Sequence, residues 1–186
     1  ITRDQGRVIL TASVGRQVRE ILWREATPLY NSALFPLGGK LSQTPDRGLR
    51  FPDGREIFGF ATDEAERMAG FSGPNQLIIV DEASGVPERI YEAIEGNRAG
   101  DAKTLYLSNP TRTSGAFFDS HHTKRRLYRS FQVSSETTPN VVTGERVIPG
   151  LATKKYIEEK RDEWGPDYKN NPLYKVRILG EFPDQA

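Results

Sequence analysis

The chain has 186 residues, enough for one domain with a single core, and its 36% apolar and 10% aromatic content suits a soluble globular protein rather than a disordered one. A net charge of +1 supplies no global field toward nucleic acid or a membrane, so any basic surface must be local. The lack of cysteine excludes disulfides, thiolate zinc sites and a cysteine nucleophile, and is compatible with a cytosolic setting; no apolar run approaches the ~20 residues of a membrane helix, and no signal-peptide pattern opens the chain. The first residue is Ile1 rather than Met, so the chain reads as cut from something longer.

Arg7-Val8-Ile9-Leu10-Thr11-Ala12 is a short β-branched run that predicts a buried strand. Ser13 can cap a following helix, Gly15 to Tyr30, in which Val14, Val18, Ile21, Leu22 and Leu29 recur at helical spacing and fill one face. Pro36 to Gly48 is turn-rich and expected to be a loop. Arg50-Phe51-Pro52 and Glu56 to Phe60 flank Asp53-Gly54, a hairpin signal. A short helix from Asp63 to Met68 and a loop from Gly70 to Asn75 follow. Gln76 to Val80 shows no alternation, the mark of a strand buried on both faces in a parallel sheet. Ser84 and Pro87 open a helix, Val86 to Glu95, bearing Val86, Ile90 and Ile94. Thr104 to Leu107 reads as a second inner strand, closed by Ser108-Asn109-Pro110. Leu127 to Val133 is expected to be a strand, Thr153 to Trp164 a helix stopped by Gly165-Pro166, and Pro172 to Leu179 either helix or strand. This order of elements gives an α/β fold with a mostly parallel sheet flanked by helices.

Ligands of open parallel sheets bind beyond the carboxyl ends of the strands. Asp81 and Glu82 stand at such an end, directly after Leu77-Ile78-Ile79-Val80. In nucleotide-driven motors an aspartate there holds magnesium, usually through water, and the next glutamate polarises the water that attacks the γ-phosphate. The plainer reading is that Asp81 caps the next helix. The strand from Thr104 also ends in polar groups, Ser108, Asn109 and Thr111, which suits a sensor beside the γ-phosphate, although an ordinary Asn-Pro turn would look the same.

These two segments, Leu77 to Val86 and Ser108 to Phe117, resemble the large terminase subunit of tailed bacteriophages. Val8 to Trp23 is similar to the strand and helix that follow the phosphate-binding loop there, and Pro149 through Pro183 to the stretch leading out of the ATPase domain. The resemblance implies a P-loop NTPase core of the ASCE type, incomplete at its N-terminal end, with residues 1–183 as the later part of the ATPase domain and 184–186 as the start of a linker. It gives Asp81 the role of magnesium ligand through water, Glu82 that of catalytic carboxylate, and Ser108, Asn109, Pro110 and Thr111 that of the motif coupling hydrolysis to movement. It also implies ATP and Mg2+ as cofactors of the complete protein, double-stranded DNA, a portal and a small terminase subunit as partners, a ring-shaped homo-oligomer, no membrane, and a place in the cytoplasm of an infected bacterial host. An arginine of this family is thought to act on a neighbouring subunit's γ-phosphate; Arg67 and Arg112 are the candidates here, neither a tight match, and a surface arginine is the plainer reading of each.

The phosphate loop itself is not evident. Gly39-Lys40 fails the pattern, because Leu34 stands where the first Gly belongs and Leu41 where Ser or Thr belongs. The chain alone is therefore expected to turn over little ATP and to bind neither cofactor tightly, and the nuclease domain is expected beyond Ala186. Lys124, Arg125, Arg126 and Arg129 form a basic cluster that could meet DNA phosphates or be a solvated face. His121-His122 after Asp119 suggests a metal site, against which stands a solvated pair with no third ligand at a usual spacing. Two other functions stay open: a superfamily 2 helicase fragment, because Asp81-Glu82-Ala83-Ser84 is close to that family's motif, and a non-catalytic remnant acting as a binding or assembly module.

Overall fold

Among the described residues six strands form from the β-branched and turn-flanked runs: β1 (Arg7–Ala12), β2 (Lys40–Ser42), β3 (Gly48–Arg50), β4 (Glu56–Gly59), β5 (Gln76–Asp81) and β6 (Lys103–Tyr106). The computed structural model describes residues 6–14, 18, 23–42, 48–59, 71, 73–98, 100 and 102–184. The chain divides into two units, Ile1–Ser108 and Asn109–Ala186.

In the first unit the six strands make one mixed sheet in the order β2-β3-β4-β1-β5-β6. β1 runs parallel to both β4 and β5, and β5 parallel to β6, as continuous apolar strands predict. β2, β3 and β4 form an antiparallel meander. Its β3–β4 turn is the expected hairpin: Gly54 takes a positive φ of 84° and Asp53 Oδ1 accepts the Arg55 N–H at 3.1 Å. Arg7 and Glu56, opposite each other on β1 and β4, are tied by an ion pair at 2.8 Å.

Helix α1 (Trp23–Asn31) seats Trp23 in the core beside Gly59 of β4, where an added Cβ would lie 3.1 Å from the indole Nε1. Helix α2 (Glu88–Arg98) buries Ile90, Tyr91, Ile94 and Asn97, a stripe at helical spacing. The Tyr91 ring meets Tyr106 of β6 edge-on at 5.3 Å, which docks α2 against that end of the sheet.

Several expectations change. Residues 15–17, 19–22 and 60–70 lie outside the described residues, so the helix from Asp63 and most of the first turns after Ser13 are not placed. Of the predicted apolar face, Val18 is buried but Val14 and Leu29 are exposed; Trp23 fills the core instead. Lys40–Ser42 is a strand rather than loop, because β3 offers it an antiparallel partner. β5 buries Gln76, Ile78 and Val80 fully and Leu77 and Ile79 only partly, so its two faces are unequal. Among the described residues β6 is an edge strand, with Leu105 43% exposed, not an inner one. α2 begins at Glu88 and runs to Arg98, two residues later than expected at its start.

The second unit holds α3 (Ala116–His121), α4 (Pro139–Thr143), α5 (Lys154–Trp164) and α6 (Pro172–Tyr174), the last passing into a π-helical turn, Lys175–Leu179. Ile157, Tyr174 and Ile178 form its core, with Val141, Trp164 and Tyr168 packed against them. Thr153 caps α5 by accepting the Tyr156 N–H, as Ser and Thr do at helix starts. Tyr174, Val176 and Ile178 are buried in alternation. That strand-like period is why Pro172 to Leu179 reads either way in sequence, and the structure resolves it as helical.

Leu127 to Val133 is not a strand. Arg125–Leu127 is a 3-10 turn and no strand ladder is formed after it among the described residues; Phe131 and Val133 are about 70% exposed. The segment is instead pinned through side chains: Ser130 Oγ donates to the Ser120 carbonyl, Gln132 Nε2 to that of Leu179 and Ser134 Oγ to that of Ile178. Gly180 permits the approach, since a Cβ there would lie 2.8 Å from the Val133 carbonyl oxygen. Glu136 closes the unit by accepting from Tyr174 Oη and, at 2.6 Å, from Arg161 Nη2. Burial alone would raise the Glu136 carboxyl, but these two donors outweigh it and hold the group below its usual value. The Tyr174 phenol is pushed up to about 12 by burial and by the adjacent carboxylate.

Candidate functional site: the carboxyl end of strand β5

The acidic pair lies where two neighbouring strands end with it. Parallel register puts Ala12 of β1 opposite Asp81, and Tyr106 of β6 opposite Val80. Backbone bonds then bracket the pair: Leu107 donates its N–H to the Val80 carbonyl at 2.9 Å and accepts that of Ala83 at 3.0 Å. Ser108 Oγ accepts the Ser84 N–H at 3.1 Å, which ties the end of the β6 strand to the turn after Glu82. Tyr91 Oη donates to the Ala83 carbonyl from the far side. Asp81 and Glu82 therefore project from a junction fixed by main chain on both flanks.

Glu82 stands in the left-handed region, φ 49° and ψ 40°. Among the described residues Asn75 is the other non-glycine residue with positive φ, and asparagine tolerates that region where glutamate gains nothing from it. The turn reverses the chain sharply into the 3-10 segment Ala83–Gly85, with the Gly85 N–H bonded to the Glu82 carbonyl at 2.8 Å. It also sends the Glu82 side chain toward β1, where Ser13 Oγ donates to Oε2 at 2.8 Å. Local strain of this kind collects at functional sites, because there the surroundings hold a conformation the residue would not choose.

Asp81 is half-buried, and its Oδ1 accepts the Glu82 N–H at 3.0 Å. It does not cap α2, which begins at Glu88. No group of three or more His, Asp or Glu side chains that could hold a metal occurs among the described residues. The donors at this strand end are the two carboxylates of Asp81 and Glu82. They fit magnesium, which keeps most of its waters and takes one or two carboxylates together with phosphate oxygens.

The other predicted residues are less concentrated. Gly39-Lys40 leads into β2 and not into a helix, in keeping with its failure as a phosphate loop. Asn109 and Thr111 are exposed and Pro110 is buried, with the Thr111 N–H turned back onto the Asn109 carbonyl at 2.9 Å. Arg112 is exposed, and Arg67 lies outside the described residues. In the basic cluster Lys124 is paired with Asp119 at 3.7 Å and the Arg129 guanidinium lies over the Phe131 ring, while Arg125 and Arg126 stand exposed on the 3-10 turn. His121 and His122 are not a merely solvated pair. Their rings pack with Phe117, Phe118 and Phe182, and His122 stacks on Phe118 at 3.8 Å between centroids.

Sequence reasoning missed Ser13 as part of this site and took it for a helix cap. Its position directly after a β-branched strand was the available signal, but the parallel register that brings it to Glu82 is not encoded locally. Gly85 was missed as well: a Cβ there would come within 3.1 Å of the Ser13 Cβ, so the glycine keeps room for the serine.

No family model matches the chain. It is 36% identical over 126 residues, 63% of its length, to a protein of Enterobacteria phage P7 described as "Probable terminase, large subunit", and spans 23% of that relative. Among solved structures, the large terminase of a thermophilic bacteriophage matches 98% of this chain and 42% of its own at a TM-score of 0.65 and 13% identity. A crystal form of the same thermophilic-phage protein in complex with ADP matches 68% of this chain and 31% of its own at 0.52 and 15% identity. The large terminase ATPase domain of Thermus phage P74-26 matches 98% of this chain and 78% of its own at 0.55 and 15% identity. The chain is thus related in sequence to a phage terminase large subunit, and its fold is that of large-terminase ATPase domains.

Proposed function

We propose that this chain is part of the ATP-hydrolysing motor of a phage DNA-packaging terminase, the later portion of its ATPase domain over residues 1–183, with 184–186 opening a linker. The observation that carries the reading is the acidic pair at the carboxyl end of β5, locked between two parallel neighbours, with Glu82 held in a strained backbone conformation and its carboxylate engaged by Ser13. Similarity to the P7 large subunit supports it, and the ADP held by the thermophilic-phage terminase supports a nucleotide as the ligand. None of these relatives favours the helicase or remnant alternatives.

In this reading Asp81 holds Mg2+ through water, and the ion, when bound with ATP, neutralises charge developing on the phosphates. Glu82 accepts a hydrogen bond from the attacking water and orients it in line with the γ-phosphate. The fixed Leu107 and Ser108 bonds keep both carboxylates at the end of the sheet. Ser108, Asn109, Pro110 and Thr111 pass the change at the nucleotide on to movement, and Arg112 or Arg67 reaches a neighbouring subunit's site. Arg125 and Arg126, with Lys124 and Arg129, meet the phosphates of duplex DNA. The assembly is a ring of subunits working with a portal and a small terminase subunit in the cytoplasm of the infected bacterium. No helix among the described residues is long and apolar enough to cross a membrane.

The test is steady-state ATP hydrolysis beside nucleotide affinity and melting temperature in the full-length protein. Glu82→Gln keeps shape but loses the carboxylate, so it should retain nucleotide and lose roughly 100-fold or more in turnover, the scale of positioned acid–base groups. Asp81→Ala should weaken magnesium-nucleotide binding itself. Hydrolysis at the parent rate by Glu82→Gln would remove the assignment.

A further inference from the structure

We propose that residues 129–133 of the second unit are a docking strand, to which an extended, acidic and partly apolar peptide of another protein adds its main chain. Three observations carry this. Among the described residues, no main-chain group of residues 129–133 is bonded to other main chain, although Tyr128 and Ser134 on either side are extended. Side chains alternate along the segment. Ser130, Gln132 and Ser134 turn to the body of the unit and donate to the Ser120, Leu179 and Ile178 carbonyls at 3.1, 3.0 and 3.3 Å. The positions between them face solvent: Phe131 is 70% and Val133 74% exposed, with the Arg129 guanidinium over the Phe131 ring at 5.1 Å. Finally, residues 124–133 contain four cations, Lys124, Arg125, Arg126 and Arg129, and no acid.

A strand in this state is straight before any partner arrives. Three side-chain bonds hold it to the unit, so the entropy of extending it is lost in folding and not in binding. Its main-chain N–H and carbonyl groups can form a ladder with a second chain, as those of an exposed sheet edge do. An added strand places every second side chain on the face that carries Phe131 and Val133, where apolar groups fit. Beside Arg125, Arg126 and Arg129 the matching groups are carboxylates. Charge decides between occupants. The same segment of a second copy would bring like charges together, which disfavours self-pairing. Duplex DNA answers the cations but offers nothing to cover Phe131 and Val133. An acidic, partly apolar peptide satisfies both. None of these residues touches Asp81 or Glu82 in the contacts described above, so the inference does not depend on the catalytic reading.

Fluorescence anisotropy on the 186-residue chain tests this, with a labelled heptapeptide that alternates Glu with Val and Ile. The chain should bind it, and bind a version with Lys in place of Glu at least about 10-fold more weakly. Phe131→Ala should weaken binding by about 10- to 30-fold, and Val133→Ser, at the next outward position, by about 3-fold or more. Arg129→Glu should narrow or reverse the preference between the two peptides. All three side chains are exposed, so melting temperature should stay within about 2 °C of the parent. Gln132→Ala frees the strand from the Leu179 carbonyl and should weaken binding by about 3- to 10-fold. Methylating alternate amide nitrogens of the peptide should abolish binding in one register and spare it in the other, because only every second N–H points at the neighbouring strand. Equal effects in both registers would overturn strand addition. So would the absence of binding at roughly 1 mM peptide, or undiminished binding by both Phe131→Ala and Val133→Ser. A single-stranded oligonucleotide bound more tightly than the peptide, and lost with Phe131→Ala, would assign the ring to base stacking and overturn the proposal as well.

Discussion

The left-handed conformation of Glu82 predicts that the site is built at the expense of stability, and the size of that expense can be measured. Glu82→Ala removes the Ser13 bond, which contributes about 0.5–1 kcal/mol for an exposed pair, and retains the backbone cost of about 1–2 kcal/mol for a non-glycine residue in this region. Glu82→Gly also loses the bond but relieves the backbone cost, offset by about 0.4–1 kcal/mol for the added freedom of the unfolded chain. Glycine should therefore exceed alanine by about 0.5–1 kcal/mol, or roughly 2–5 °C in melting temperature. The chain has two tryptophans, Trp23 in the first unit and Trp164 in the second. A Trp164→Phe background leaves Trp23 as the fluorescent reporter of the unit that carries the site. Urea titrations of both variants in that background give the difference directly. An alanine variant as stable as the glycine one, or more so, would refute the argument that Glu82 is strained.

Two further outcomes follow from the second unit. Glu136 is held below its usual range by Tyr174 and Arg161 despite its burial, so its contribution is present above the unfolded value, near 4.5, and is lost as pH falls through the lowered folded value. Glu136→Gln should cost about 1–2 kcal/mol at pH 7 and progressively less as the pH falls below 4.5, and a loss that does not shrink on acidification would show that the carboxylate charge is not what matters. For DNA, Lys124 and Arg129 already have protein partners, so Arg125 and Arg126 should carry most of the phosphate contact. Replacing both with alanine should reduce the slope of log K against log salt for duplex binding by about 2, and an unchanged slope would leave the cluster a solvated surface.

Much of the architecture was written in local pattern. Gln76 to Val80 could only be a buried strand, Asp53-Gly54 only a tight turn between strands, and Thr153 to Trp164 only a capped helix, because burial, turn geometry and helix ends impose demands on residues within a few positions of one another. The place of Asp81 and Glu82 followed directly, since a strand's end is visible in sequence. Partnership was not. Among the described residues β6 reads as apolar yet lies at an edge, Leu127 to Val133 looks β-forming yet begins in a 3-10 turn and joins no sheet, and Tyr174 to Ile178 alternate like a strand while coiling as a helix. Each outcome depended on which distant backbone groups were available to bond, and propensity carries no record of that. The site shows the same division. Its two acids are legible in a stretch of six residues. The left-handed turn at Glu82 and the hydroxyl of Ser13 exist only because parallel pairing sets the end of β1 beside the end of β5, a register fixed by the whole sheet.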